Sequence, residues 1–244
     1  MKSFLAAMAF LTRSPVGRLA VFDAKDVAHS SGWFPVIGLL LGAIYAAAAI
    51  LLKNHLPLNV VAVLLVTLDA LATGALHFDG LADTADGFGG GKTREDVLRI
   101  MRDHAIGSYG ALALATLVAL KVTAYAELLK ESDWIAVILA PTLGRWSILL
   151  LTATLPYARP AASPIEGMGK RSLIWGTLVI LAAIVAASST RAWIALAAVA
   201  LVTAAFGFYC RRRIGGITGD TLGANLQLCE SAALLTYLWA GYPR

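Results

Sequence analysis

The chain has 244 residues, 59% of them hydrophobic and only 14% charged, with a mean hydropathy of +0.74. Soluble domains stand near roughly 45–50% apolar and about 25% charged, so a soluble fold could not clothe this surface in polar groups, and a membrane class is indicated. The net charge is +5, but no RNA-binding signature or basic-aromatic stripe accompanies it, which argues against a nucleic-acid partner.

The first residues, MKSFLAAMAFLTRSP, begin like a signal peptide. The apolar run is short and lacks a small-x-small cleavage site, so it reads as a retained amphipathic segment at the membrane interface. Seven stretches then approach the roughly 20 apolar residues that cross a bilayer. They are Trp33–Leu52, Leu58 to about Leu76 with Asp69 inside, and Ile106–Leu128 with Lys121 inside. Next come Trp134–Leu155 with Pro141 and Arg145, then Leu173–Ser189 and Ala192–Tyr209. The last, Leu222–Ala240, is interrupted by Asn225, Gln227 and Glu230. Every span must be helical, because unpaired backbone groups in lipid are costly. The expected fold is therefore all-α: a polytopic bundle of about seven transmembrane helices with an interfacial N-terminal segment, in one domain over residues 1–244. Cys210 and Cys229 show no metal or redox spacing and read as unpaired thiols.

The loops alternate in charge. One side carries Lys2, Arg13, Arg18 and Lys25, then Lys92, Arg94, Arg99 and Arg102, then Arg159, Lys170 and Arg171, and finally Arg211, Arg212 and Arg213. The other side has only Lys53, Lys130, Arg191 and Arg244. The positive-inside rule puts the N-terminus and the long polar loops in the cytoplasm.

The longest of those loops, HFDGLADTADGFGGGKTREDVLRIMRDHAIGSYG from His77 to Gly110, concentrates polar chemistry. Asp79, Asp83 and Asp86 are spaced i, i+4, i+7. On a helix continuing the second span they cover an arc of only about 60°. Three carboxylates on one stripe repel unless a cation lies between them, and Mg²⁺ has the matching preference for hard oxygen. The alternative is a solvated cap where the span leaves the membrane, which suits one aspartate better than three. Gly87, Gly89, Gly90, Gly91, Lys92 and Thr93 nearly spell the tail of a P-loop, but a membrane helix precedes them instead of a strand. A phosphate cradle from Gly87, Gly89, Gly90 and Lys92 stays open beside a flexible hinge. Thr93 is expected to cap a short cytoplasmic helix with Glu95 and Asp96 in its first turn. Val97, Ile100 and Met101 fall on one face of it, and Asp96, Arg99, Arg102 and Asp103 on the other.

The final loop, RRRIGGITGDTLGANLQLCE, sets Asp220 at the start of the seventh span below a run of arginines. Cations for phosphate and a carboxylate for metal make it a second half-site. Lys121 and Arg145 lie within apolar spans, where an ionisable residue is paired or functional, and Asp69 is a candidate partner. Together these features suggest metal-assisted phosphoryl transfer. Asp83-Thr84-Ala85-Asp86-Gly87 fits the opening of the CDP-alcohol phosphotransferase motif, but its second half is missing. A transporter, with Lys121, Arg145 and Asp69 lining a path, is a further alternative, but no paired halves are visible.

A longer match is more specific. The stretch His77-Phe78-Asp79-Gly80-Leu81-Ala82-Asp83-Thr84-Ala85-Asp86-Gly87 resembles the cobalamin synthase family. So do Ile100-Met101-Arg102-Asp103, Ile106-Gly107 through Tyr109-Gly110, and Gly219-Asp220-Thr221-Leu222-Gly223-Ala224. The likeness extends to LAAMAFLTRSPVG and WFPVIGLLLG near the N-terminus. It implies an adenosylcobinamide-GDP ribazoletransferase of the inner membrane that uses Mg²⁺. A ribose hydroxyl of α-ribazole, or of its 5′-phosphate, would attack the cobinamide-linked phosphorus, and GMP would leave. On this resemblance Asp79, Asp83 and Asp86 hold the metal against the pyrophosphate, and Asp220 completes the shell or takes the hydroxyl proton. Arg102 and Arg145 offset phosphate charge, and Lys121 stands where the family has a basic residue. Many members carry Glu where Gln227 stands, and His104-Ala105 replaces a pair that is often Ser-Arg. The partners implied are the two small-molecule substrates and membrane lipid; a homo-oligomer stays open.

Overall fold

Apolar runs punctuated by glycine, proline and polar caps become helices throughout a computed structural model that describes residues 2–15, 22–103, 105–159 and 168–241. Arg18, His104 and Arg244 lie outside the described residues. Helix α1 (Lys2–Leu11) packs its Ala6, Ala7 and Leu11 inward. Helix α2 (Ala24–Ser30) opens with a capping box between Asp23 and Asp26 and runs through a 3-10 turn into α3 (Phe34–Leu52), with Pro35 in its first turn. Pro there costs nothing, because the missing N–H has no intrahelical acceptor.

Helix α3 lies against α8 (Trp134–Thr154) with little between the two backbones. A Cβ on Gly38 would come within 2.7 Å of Thr142 Cα, and one on Gly42 within 2.7 Å of Ile138 Cα. Small residues of this kind let membrane helices approach closely enough to gain dispersion along their length. The remaining long helices are α7 (Ser108–Lys130), α9 (Lys170–Ala187), α10 (Thr190–Ile214) and α11 (Gly219–Gly241).

The second expected span ends early. Helix α4 (Leu58–Thr73) stops at Gly74, φ 64°, and Ala75 follows with φ 58°. Two successive left-handed residues terminate a helix and redirect the chain, and α5 (Leu76–Gly90) departs at 92° to α4. The aspartates therefore do not run straight on from α4; they ride on a second helix set nearly at right angles to it. Among the described residues five runs are long and apolar enough to cross a membrane: Ala24–Leu52, α7, α8, α9 and α10. The count becomes six if the bent pair α4–α5 is one span. The seventh expected span, α11, has 23 residues but too many polar ones to meet the same criterion. It packs among α5, α7, α8 and α10, where Asn225, Gln227 and Glu230 are all buried.

The short helix forms as expected. Helix α6 (Arg94–Ile100) carries a capping box between Thr93 and Asp96, buries Val97, and is followed by a buried Met101. The chain then turns into α7 beside the end of α5.

Candidate active site

Two glycines decide where the acidic groups meet. A Cβ on Gly80 of α5 would lie 2.8 Å from the Asp220 carbonyl oxygen, and one on Gly223 of α11 would lie 3.2 Å from His77 Cα. No side chain fits between the helices there, so α5 crosses the first turn of α11 in direct backbone contact. The crossing sets Asp79 and Asp83 beside Asp220. Asp79 is exposed and Asp83 half-buried. Burial pushes the Asp83 carboxyl up to about 6, and the neighbouring charges of Asp79, Asp220 and Asp86 add to that, with Arg159 opposing. The first three carboxylates thus form one acidic rim.

Asp220 is held in place. Arg159 Nη2 donates to its Oδ2 at 2.7 Å, and Thr218 Oγ1 donates at 3.3 Å. Thr218 also starts α11: its amide donates to Thr221 Oγ1 at 2.8 Å, and the Thr221 amide donates back to Thr218 Oγ1 at 3.2 Å. Sequence reasoning counted Arg159 only as a topogenic charge. Its partner stands 61 positions away, and no local pattern signals such a pair.

Asp86 does something else. Its Oδ2 accepts from the Gly107 amide at 2.8 Å and its Oδ1 from the Gly110 amide at 2.9 Å. These are the N-cap and third residue of α7. A glycine N-cap has no side chain to satisfy the orphan amides of a first helical turn, so a carboxylate from α5 supplies the acceptor. The stripe is therefore split: Asp79 and Asp83 face the Asp220 rim, and Asp86 fastens α5 to α7.

The glycine run is not a loop. Gly87, Gly89 and Gly90 are the last turns of α5, so their amides serve the helix and offer no phosphate cradle. They are small for packing reasons. A Cβ on Gly87 would meet Met101 at 2.7 Å, and one on Gly89 would meet the Tyr109 ring at 2.5 Å. Arg213 closes the helix end, donating at 2.8 Å to the carbonyls of both Phe88 and Gly91. Arg94 reciprocates by donating to the Ile214 carbonyl at the end of α10 at 2.9 Å. Lys92 and Arg102 are exposed on this same side, and neither takes part in an ion pair among the described residues.

Lys121 and Arg145 are also kept from the acidic rim. Both are fully buried. Lys121 Nζ donates to Asp69 Oδ2 at 3.1 Å, Gln227 Oε1 at 2.8 Å and Glu230 Oε2 at 2.6 Å. Arg145 donates to Glu230 Oε1 and stands 3.7 Å from Asp69 Oδ1, to which Tyr45 also donates at 3.0 Å. Two cations and two carboxylates from α4, α7, α8 and α11 thus neutralise one another inside the bundle. Asp69 is the partner the sequence suggested; Glu230, the shared anion, stood out in the sequence only as a polar interruption of the seventh span.

A cavity of about 270 Å³ opens beside the rim, bordered by Asp79, Asp220, Arg159, Tyr157 and His77, with Phe10, Leu11, Ile148 and Leu222 behind them. The rim's donors are all hard oxygens, which suits Mg²⁺. Among the described residues no three His, Cys, Asp or Glu side chains are gathered tightly enough to hold a metal by themselves. An ion held here would take one or two protein carboxylates and complete its shell with water and substrate phosphate.

Comparison with known proteins gives one consistent answer. The family model described as cobalamin-5-phosphate synthase matches residues 3–238. An adenosylcobinamide-GDP ribazoletransferase of Clostridium botulinum (strain Okra / Type B1) is 36% identical over 242 residues, covering 98% of each chain. One from Syntrophobacter fumaroxidans is 36% identical over 244 residues, with 96% of this chain and 98% of that one covered. One from Shewanella sp. (strain ANA-3) is 38% identical over 252 residues, with 98% and 94% covered. No solved structure matches. With nearly its whole length matched, the chain belongs to the cobalamin-5-phosphate synthase family.

Proposed function

We propose that this chain transfers the cobinamide phosphate of adenosylcobinamide-GDP to a ribose hydroxyl of α-ribazole or of its 5′-phosphate. GMP leaves, and adenosylcobalamin or its 5′-phosphate is formed. The observation that carries the reading is the rim of Asp79, Asp83 and Asp220 beside a cavity that also presents Arg159. The names of the full-length relatives support it. They favour neither a phospholipid-forming phosphotransferase nor a transporter.

In the reaction the acceptor oxygen forms a new bond to the cobinamide-linked phosphorus, the phosphoanhydride bond to GMP breaks, and the hydroxyl proton must be taken up. Asp79 and Asp83 would hold Mg²⁺, which when bound neutralises charge on the phosphates. Asp220 faces the acceptor and takes its proton, with its orientation held by Arg159 and Thr218. Arg159, already charge-paired at the rim, answers negative charge that builds on the transferred group. Lys92 and Arg102, exposed near α6, meet the nucleotide leaving group. Lys121 and Arg145 act at a distance by fixing α11, and with it Asp220.

The reading also takes α5, α6 and the N-terminus to be cytoplasmic at the inner membrane, with lipid against the exposed faces of α9 and α10, where Ile174, Leu178 and Leu201 are bare. The decisive experiment uses purified protein in detergent with adenosylcobinamide-GDP, α-ribazole and Mg²⁺. GMP release and a corrinoid phosphodiester are expected only with both substrates present. Phosphatidyl transfer from CDP-diacylglycerol, with no corrinoid product, would overturn the reading.

A further inference from the structure

Helix α1 and the turn after it stand between two hollows. Phe10 and Leu11 wall the cavity at the acidic rim. Met8 and Arg13 wall a second hollow, which the proposed chemistry leaves unused. This groove of about 550 Å³ lies between α1, α3 and α4. It is open on its flank, where Leu40 of α3 is 43% exposed and Leu71 of α4 is 69% exposed. Along α3 it runs from Ile37 to Ile44, about two turns or roughly 10 Å.

Among the described residues one charged side chain borders the groove, and it stands at the end where α3 begins and α4 stops. The Arg13 amide donates to the Ala72 carbonyl at 2.7 Å, an acceptor that the break before α5 leaves over. Its side chain lies across the elbow between α4 and α5: a Cβ on Gly74 would come within 2.9 Å of Arg13 Cδ. Arg13 is exposed, and among the described residues its guanidinium makes no hydrogen bond and no ion pair. The backbone alone ties this turn to α4, and the guanidinium keeps its five N–H donors for something else. Beside it are the hydroxyl residues Thr12 and Ser14, and beyond them the lining is apolar. A cationic mouth leading into an apolar trough matches a phospholipid, with phosphate at the mouth and an acyl chain in the trough. An apolar peptide segment would fill the trough and leave the guanidinium unanswered.

We propose that the groove holds one acyl chain of an anionic phospholipid, with the headgroup phosphate paired to Arg13. The site depends on the membrane fold and not on the transfer reaction, so it stands or falls separately from the transferase reading. Guanidinium–phosphate pairs are charge-assisted and commonly bidentate. Phosphatidylglycerol offers Arg13 a net negative charge, whereas phosphatidylcholine brings its own ammonium to compete for the phosphate. Because α1 divides the groove from the rim cavity, the lipid backs one wall of the active site.

The test presents the full chain, purified in detergent, with equal amounts of phosphatidylglycerol and phosphatidylcholine and counts the retained lipids by native mass spectrometry. One phosphatidylglycerol per chain should persist, favoured about fivefold over phosphatidylcholine, the scale of one basic side chain at an anionic surface. Arg13→Gln should abolish the preference, and Arg13→Lys should keep most of it. The backbone bond to Ala72 survives both changes, so folding should be spared. Arg211→Gln removes an exposed charge outside the groove and should leave the preference as it was. Leu40→Trp, which fills the open flank, should lower retention of both lipids. Equal retention of the two lipids by the wild type would overturn the proposal without any variant having to fold. So would a loss in Arg211→Gln as large as in Arg13→Gln, which would make the preference a general surface attraction. Retention that Leu40→Trp leaves untouched would overturn it too, as would a chain that holds no lipid and pairs with a second copy.

Discussion

The molecule holds two groups of ionisable side chains a short way apart, and they obey opposite rules. Inside the bundle Asp69, Glu230, Lys121 and Arg145 are nearly or wholly buried, and each charge has an opposite neighbour. At the face Asp79 and Asp220 line a cavity with Asp83 beside them, and Arg159 forms an ion pair with Asp220 alone. A closed and balanced set can be complete without a ligand. An open set with excess negative charge is completed only by something that arrives. The residue types are the same in both, so the type alone does not separate a structural network from a site; the balance of charge and the access do.

The largest effect should come from unbalancing the inner set. Glu230→Gln keeps the shape but leaves Lys121 and Arg145 against Asp69 alone. Removing one partner from a buried ionic cluster costs about 3–5 kcal/mol, and thermal unfolding in detergent should register most of it. Adding Lys121→Met restores neutrality and should recover a large part of the loss. If the double variant is no more stable than the single one, charge balance is not what holds the network.

Asp83→Asn should do the reverse. It removes a proposed metal ligand from the open rim, and turnover should fall by about 10²-fold or more, equivalent to roughly 2.7 kcal/mol. Unfolding temperature should hold or rise without metal, because repulsion from Asp79 and Asp220 is relieved. Near-normal turnover at ordinary Mg²⁺ would mean that the rim is a solvated cap and the two regions differ only in exposure.

Parts of this contrast can be read from sequence and parts cannot, for physical reasons. Capping chemistry is local, so Thr93 with Asp96 announced α6, and the apolar runs announced most long helices within a few residues. The break before α5 is silent because hydrophobicity continues through Ala72 and Ala75, and Ala75 takes a left-handed backbone that its side chain does not favour. Helical spacing put Asp79, Asp83 and Asp86 on one arc, and they do share one helix. What spacing cannot show is that the first turn of α7 claims Asp86. The glycine run read as a phosphate cradle or a flexible hinge because glycine weakens helices. Close packing against Met101 and Tyr109, with Arg213 on the end carbonyls, overrides that weakness. Lys121 and Arg145 had to be paired inside a membrane, but Glu230 as their common anion needed the three-dimensional arrangement.

Asp86→Asn sharpens the division within the stripe. An amide oxygen can accept from one of the two α7 amides, while its NH₂ faces the other donor. The loss should be that of a helix cap, about 1 kcal/mol. Hydrogen exchange should quicken at Gly107 and Gly110, and turnover should fall less than in Asp83→Asn. A change in Mg²⁺ dependence with no change in exchange would return Asp86 to the ligand set.

The smallest effect is a pH dependence confined to the open rim. Burial and its acidic neighbours push Asp83 up to about 6 from an ordinary 3.8. Between those values the native state keeps a proton that the unfolded chain has lost. Protonation therefore favours the folded protein: the contribution is fully present below about 3.8 and is lost as pH rises through about 6. Metal-free protein should melt at a slightly lower temperature at about pH 7 than at about pH 5, and Asp83→Asn should flatten that slope. The size is modest because Asp83 is only half-buried and solvent screens its neighbours. Mg²⁺ affinity should run the other way, strengthening as pH rises through about 6, since the metal needs the ionised carboxylate. A titration of melting temperature with and without Mg²⁺ measures both trends on one sample. If the metal-free slope survives unchanged in Asp83→Asn, the titrating group lies elsewhere, and the mutual repulsion that distinguishes the open rim from the neutral inner network is not centred on Asp83.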